Sequence, residues 1–484
     1  MENKVQLITY VDRLTGGGLD DLKNLLTGKL DGVFGGIHIL PFFYPIDGVD
    51  AGFDPIDHRV VDHRLGNWSD VAKLSLDFDV MADLIVNHIS SKSPEFLDYL
   101  QKGSESRFAP MILTKDQVFS NGALEDIKRI YRPRPGTPFT QYQTNTGESP
   151  LVWTTFSPGQ VDINVYHELG RAYIFEILDI YKNNGINSIR LDAVGYAIKK
   201  AGTSCFMIDE TYEFIREITK EANIRGIRVL VEIHSYYREQ LKIAKLTDYV
   251  YDFALPPLIL HALFNKTVLH LSEWLQISPR NAITVLDTHD GIGIIDIGHN
   301  PEDPSEPGLL SNSELDKLVN EIHIRSNGES LMATGENANN WDLYQVNCTY
   351  YDALGKDENL YLLARAIQFF CPGIPQIYYM GYLCEPNDVE LLRQTRVGRS
   401  INRSVFSEDT LDKALSRPIV GKLNKLIRFR NSLDAFDGHF SQEILSDTSI
   451  LLAWEGESSW ARLILDLDDF SFEIQSSEGL ITPL

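Results

Sequence analysis

Apolar residues gather along this chain in short runs separated by longer, mixed stretches. Eight of the runs read as strands: KVQLITY (4–10), GGIHILP (35–41), VMADLIVNH (80–88), INSIRLDAV (186–194), RVLVEIH (228–234), YVYDFAL (249–255), AITVLDTHD (282–290) and IPQIYYMG (374–381). Between them lie amphipathic stretches such as ETYEFIREITKEANIRG, whose apolar residues fall at helical spacing. Strand and helix alternate over most of the length, which predicts a parallel sheet. Repeated through eight units, the pattern predicts an α/β fold, a closed (β/α)8 TIM barrel with its functional groups at the C-terminal strand ends.

Two connections are too long for a plain helix. Residues 89–185, after the third strand, contain YRPRPGTPF and LVWTTF, and residues 291–373, after the seventh, contain NPEDPSEPG and NNWDLYQVNCTYY. Long insertions on barrel loops usually carry binding function. Beyond residue 435 the pattern changes to short antiparallel strands, in EILSDTSILLAWEG and WARLILDLDDFSFEI, and predicts a small C-terminal β domain. The expected organisation is a barrel over 1–88, 166–290 and 356–435, inserted domains over 89–165 and 291–355, and the β domain over 436–484.

Composition narrows the partners. The 484 residues are 43% hydrophobic, enough for a large core with satellite domains. A net charge of -24 makes nucleic acid and anionic membranes poor partners. An anionic substrate would need a locally basic pocket against that field. The opening MENKVQLITY has no apolar signal core, and no apolar run is long enough to span a membrane. Cys205, Cys348, Cys371 and Cys384 form no CxxC, and the first three sit in apolar or aromatic surroundings. Reduced, buried thiols and a cytoplasmic location are expected.

The strand ends carry the chemistry. Arg190 and Asp192 lie two apart near the end of the fourth strand and so face the same side. Alone they read as an ion pair. The fifth strand, however, ends in Glu232 and His234, the seventh in His289 and Asp290, and the third in Asn87 and His88. Packing alone does not explain so many charged ends on one rim, because an unpaired buried charge costs several kcal/mol. Paired carboxylates suit glycoside chemistry, in which one attacks the sugar and the other protonates the leaving group. A metal site is not expected, since HxH and HExxH spacings are absent.

DLIVNH, SIRLDAVGY, VEIHSYY and LDTHD, in this order, resemble the four signature regions of the α-amylase superfamily. Within it, residues 4–440 resemble sucrose phosphorylases through QLITYVDRL, HILPFFYPIDGVDAGFDPIDH, IYRPRPG, RLDAVGYAIKKAGTSCF, VYDFALPPL, TVLDTHDGIG, NWDLYQVNCTYYDALG and GRSINR. The resemblance implies that Asp192 is the nucleophile, Glu232 the general acid/base and Asp290 the stabiliser of the oxocarbenium-like transition state. Arg190 would orient Asp192 and keep it ionised. His88 and His289 would bind glucosyl hydroxyls, Asp50 and Arg399 would grip the far end of the ring, and Phe53 and Phe156 would form apolar walls. Tyr196 joins the substrate-binding set. Arg134, Asp342, Tyr344 and Gln345 would line the acceptor side, with His234 assisting Arg134 toward phosphate. The implied partners are sucrose, inorganic phosphate, glucose 1-phosphate and fructose, with no cofactor; a homodimer is compatible with this.

Departures from the family pattern are local. Gly195-Tyr196 stands where many α-amylases carry a Lys-His pair that helps bind calcium, so no such calcium site is expected. Trp341, Ser400 and Ser404 replace an expected leucine, aspartate and histidine. The acceptor therefore stays open at this level. Alternatives are phosphorylases of sucrose 6'-phosphate, glucosylglycerol or glucosylglycerate, a retaining hydrolase, and a catalytically dead binding barrel.

Overall fold

The computed structural model describes residues 1–481 apart from 49, 120–123, 133–135, 302 and 336–344. Arg134, Trp341, Asp342 and Tyr344 lie outside the described residues. Eight strands close a barrel: β1 (Gln6–Thr9), β2 (Gly36–Ile39), β3 (Asp79–Ile85), β4 (Ser188–Asp192), β5 (Arg228–Val231), β6 (Tyr249–Asp252), β7 (Ala282–Thr284) and β8 (Ile374–Tyr378). Every neighbouring pair is parallel. All eight expected strands are present, but several stop early. The third ends at Ile85 rather than His88, and the seventh at Thr284 rather than Asp290. Beyond those points the chain leaves the sheet and builds the rim of the site.

Register places the charged residues. Arg190 pairs laterally with Asp83 of β3, and Leu191 with Val231 of β5. In-register parallel neighbours point to the same side, so Arg190 and Asp83 share a face, and Asp192 comes level with Glu232 one residue past each pair.

The outer helices follow from sequence in the usual way. Asp209–Ile224 buries Phe214, Ile215, Ile218 and Ala222 along one stripe. Asp209 and Glu210 sit in its first turn, where the helix dipole favours negative charge. It stops just before Gly226, whose φ of 77° suits glycine.

Between β3 and β4, His88–Ser90 pairs antiparallel with Gln160–Asp162, and Phe139–Gln141 with Leu151–Trp153. A small core of Leu113, Phe119, Phe139, Trp153 and Cys205 holds this insertion. Between β7 and β8, Ile292–Gly293 pairs antiparallel with Gln345–Val346 and returns the second insertion to the rim. The C-terminal sheet has five antiparallel strands, from His439–Ser446 to Gly479–Ile481. It docks through Trp454, whose Nε1 donates to Phe370 O at 2.8 Å. All four cysteines are free and buried. Among the described residues, no helix is long and apolar enough to cross a membrane.

Candidate active site

A cavity of 490 Å³ opens at the C-terminal end of the barrel, within the range of small-ligand sites. Asp50, Phe53, His88, Phe156, Arg190, Asp192, Tyr196, Glu232, His234, His289, Asp290, Gln345 and Arg399 all line it. Every site residue expected from the sequence that is described here is therefore in one place.

Arg190 is the hub. Its Nη1 lies 2.6 Å from Asp83 Oδ1 and 2.8 Å from Asp192 Oδ1, and its Nη2 lies 3.5 Å from Glu232 Oε1. Asp83 is fully buried and is also 3.0 Å from His38 Nε2. Burial alone would raise its pKa, but His38 and Arg190 outweigh burial and hold it at about 2. Asp192 differs. Burial pushes its carboxyl up to about 8; Arg190 opposes this, while Glu232 and Asp83 add to it. The guanidinium contacts Asp192 and pulls it toward the ionised form, the direction the sequence predicts, while burial and the neighbouring carboxylates pull the other way. One guanidinium is shared among three carboxylates. Immediately after Asp192, Ala193 adopts φ 52°, a left-handed conformation that costs roughly 1–2 kcal/mol outside glycine. The turn it makes leaves Asp192 at the cavity edge. Gly195, two residues on, admits Phe206, whose Cε2 would lie 2.8 Å from a Cβ there.

Asp290 is held ionised. Burial opposes its charge, but Arg399 foremost, with Arg403 and Arg190, pulls it well below the usual carboxylate range. Arg399 Nη1 lies 2.8 Å from Asp290 Oδ1, so its guanidinium sits on this carboxylate as well as on the cavity wall. Asn402 Nδ2 donates to the carbonyls of Thr288 and Asp290 at 3.2 and 3.1 Å, and Arg403 Nε to that of His289 at 3.0 Å. The GRSINR segment thus clamps the THD segment.

The histidines fall into two kinds. His289 stacks on Phe53 at 4.9 Å, and burial with Arg190 and Arg403 nearby depresses it to about 3. His88, also lowered by burial, lies 2.9 Å from Phe53 O and 3.1 Å from Gln160 Nε2. His234 is a cation. Burial opposes its charge, but Asp296, then Glu232 and Asp290, lift it to about 9. Its Nδ1 lies 2.9 Å from Asp296 Oδ2, while its Nε2 has no hydrogen-bond partner among the described residues. Asp296 also accepts from Ser235 N and Gln240 Nε2, at 3.2 and 3.1 Å.

Phe156 meets His88 and Tyr196 edge-on, at 5.6 and 5.1 Å. Gln345 Oε1 accepts from Gly291 N at 3.2 Å, which ties the second insertion to the catalytic loop. At the base of the first insertion the buried Lys199 ammonium lies 2.6 Å from Asp162 Oδ2 and 2.7 Å from Asn87 Oδ1, and it also donates to Tyr196 O. Sequence reasoning missed Asp83, Gln160, Asp296, Lys199 and Arg403. For Asp83 and Asp296 a signal existed: each is a lone acid inside an apolar run, MADLIV and GIIDIG.

A barrel with three carboxylates on its C-terminal rim is the architecture of α-amylase-type enzymes, and the family model for the α-amylase catalytic domain matches residues 26–245. The sucrose phosphorylase of Agrobacterium vitis is 54% identical over 99% of this chain and 98% of that protein. That of Bifidobacterium adolescentis is 53% identical over 96% and 92%. The crystal structure of a sucrose 6F-phosphate phosphorylase from Thermoanaerobacter thermosaccharolyticum superposes with a TM-score of 0.91 at 37% identity, covering 99% of this chain and 97% of that one. The chain belongs to the sucrose phosphorylase family.

Proposed function

We propose that this enzyme transfers a glucosyl group from sucrose to inorganic phosphate with net retention, giving α-D-glucose 1-phosphate and D-fructose. The observation that carries the reading is one guanidinium, Arg190, in contact with both Asp192 and Glu232 in a cavity where Asp290 is held as an anion. Asp192 attacks the anomeric carbon and fructose leaves with a proton from Glu232. For this step the proton must sit on Glu232 and the charge on Asp192. The positive charge that grows on the ring during attack favours an ionised Asp192. Asp290, already ionised, faces the same developing charge at no cost of reorganisation. In the second half, phosphate takes the glucosyl group and returns the proton to Glu232.

The acceptor side needs positive charge in a chain of net charge -24. His234 supplies one cation, with its Nε2–H turned away from Asp296. Arg134, on the proline-flanked RPRPG segment, supplies the second; its planar fork suits a phosphate. Asp342, Tyr344 and Gln345 complete the fructose side. The 54 and 53% identities to sucrose phosphorylases, against 39% to a sucrose 6(F)-phosphate phosphorylase and 36% to a glucosylglycerol phosphorylase, favour sucrose as donor. Buried, unpaired cysteines fit a cytoplasmic location.

The test is a panel of sucrose, sucrose 6'-phosphate, glucosylglycerol and glucosylglycerate, each with and without phosphate. Sucrose should give phosphate-dependent fructose and α-glucose 1-phosphate, with the highest kcat/KM of the four. A higher kcat/KM on another donor reassigns the acceptor. Sugar release that ignores phosphate makes the enzyme a hydrolase.

A further inference from the structure

Away from the catalytic cavity, His261, His270 and Glu314 converge from three helices, Leu255–Asn265, Leu269–Ile277 and Asn312–Arg325. We propose that these three side chains form a binding site for a divalent transition-metal ion, Zn²⁺ or a similar borderline cation, that clamps the second insertion to the barrel.

Both imidazole Nε2 atoms face one carboxylate oxygen, at 3.9 Å for His261 and 3.4 Å for His270 from Glu314 Oε1. Donors around a four-coordinate zinc ion lie about 3.3–3.5 Å apart, given metal–ligand distances near 2.0–2.1 Å. The His270–Glu314 contact already meets that spacing, the His261–Glu314 contact exceeds it by about half an ångström, and all three donor atoms lie within 4.8 Å of one another. Glu314 is already oriented for this: its other oxygen accepts from Ser311 N at 2.8 Å and Ser311 Oγ at 2.5 Å, leaving Oε1 for the histidines. Glu273 Oε2 lies 3.4 Å from the other ring nitrogen of His270, Nδ1, without making a hydrogen bond, so a small shift would supply the outer-shell partner that metal-bound histidines usually have. His261 supplies an independent sign. Its side chain is only 4% exposed, and among the described residues its buried Nδ1 has no hydrogen-bond partner. A buried imidazole without a hydrogen bond is costly; a metal ion would coordinate the other nitrogen, Nε2, and give the ring a polar partner there. Access exists, since His270 and Glu314 are 30 and 33% exposed and His270 lines an open surface cleft that supplies room for a water as fourth ligand.

The two histidines sit on helices between β6 and β7, whereas Glu314 belongs to the segment between β7 and β8 that also carries Gln345, which lines the cavity. Metal would therefore cross-link the acceptor-bearing insertion to the barrel wall.

The experiment uses the full chain, dialysed against chelator and titrated with Co²⁺ and Zn²⁺. The wild type should bind one equivalent, develop the intense visible band of four-coordinate Co²⁺, and show a raised Tm. His270→Ala and Glu314→Gln should each lose the band and the Tm shift while keeping wild-type turnover. Glutamine preserves the Ser311 cap, so its loss of metal would not be a folding defect. Absence of the band and of any Tm shift in the wild type overturns the proposal. So does metal binding of the same stoichiometry and affinity in both variants, which would place the ion elsewhere.

Discussion

His289 and His234 line the same cavity, and each stacks nearly flat on a phenylalanine, Phe53 at 4.9 Å and Phe253 at 3.8 Å. Burial disfavours the charge on both, yet one is depressed to about 3 and the other lifted to about 9. Their neighbours decide. His289 has Asp290 at 3.5 Å, but the guanidiniums of Arg190 and Arg403 offset it and burial prevails; His234 has Asp296, Glu232 and Asp290 together, and they outweigh burial. The difference divides the cavity by chemistry. Around His289 and His88 the imidazoles are neutral and suit sugar hydroxyls, which carry no charge. Around His234 there is a fixed cation, which a neutral glucosyl ring does not need and a phosphate does.

The strongest test of this division removes what both halves depend on. Asp192→Asn should lower kcat by about 10⁴ or more for phosphorolysis and for hydrolysis alike, since both pass through the glucosyl-enzyme. The readout is sucrose turnover by the folded variant, and activity within about tenfold of wild type would remove Asp192 from the nucleophile role. Glu232→Gln should cost about 10²–10⁴ on sucrose but far less on α-glucosyl fluoride, whose leaving group needs no proton. Equal losses on both donors would contradict the acid role.

Changes confined to the acceptor half should separate the two outcomes. Arg134→Ala should slow phosphorolysis by roughly 10²–10³ while hydrolysis of the glucosyl-enzyme holds, because water needs no guanidinium. The measurement is the ratio of glucose 1-phosphate to glucose at saturating phosphate. An unchanged ratio would place phosphate recognition elsewhere. Asp296→Asn is subtler. It keeps an acceptor for His234 Nδ1–H but removes the charge that chiefly sustains the imidazolium. In the wild type, phosphate transfer should fall as pH rises through about 9. In the variant that limb should move toward the ordinary histidine value of ~6.5, lowering phosphorolysis roughly tenfold at pH 8. A limb that stays in place would mean that His234 does not carry the phosphate.

Much of this was legible in the sequence, and the misses have physical causes. Eight apolar runs gave eight barrel strands because central parallel strands are buried and apolar whatever surrounds them. Their ends were misjudged where apolar character outlasts hydrogen bonding: Val285 and Leu286 are buried but lie beyond β7. The rim residues were found because charge at the end of an apolar strand is conspicuous. Asp83 and Asp296 were overlooked because their partners, His38 with Arg190 and His234 with Gln240, come from other strands and helices, and one sequence does not show who meets whom. The Arg190–Asp192 contact was readable from spacing. The opposing pull of Glu232, Asp83 and solvent exclusion on Asp192 was not, since those groups come from elsewhere in the chain.

That opposing pull yields the smallest and most discriminating effect. Asp192 has a folded-state pKa of about 8, against ~3.9 for an unfolded aspartate. Below about pH 4 both states hold the proton, and the contribution that favours folding is complete. Between the two values the unfolded chain releases the proton and the folded protein keeps it. Stability therefore drains away as pH rises, and the loss is finished above about 8. Asparagine cannot ionise and escapes this loss, while its Oδ1 can still accept from Arg190. Asp192→Asn should thus raise Tm more at pH 8 than at pH 5, by about 1 °C for each 1 kcal/mol in a chain of this length. The measurement is a set of melting curves for both proteins across that range. If Arg190 instead held Asp192 as a stabilised anion, the sign would reverse: the variant would be the less stable protein at every pH in the range. Melting curves ordered that way throughout would show that the Arg190 contact outweighs the burial of Asp192.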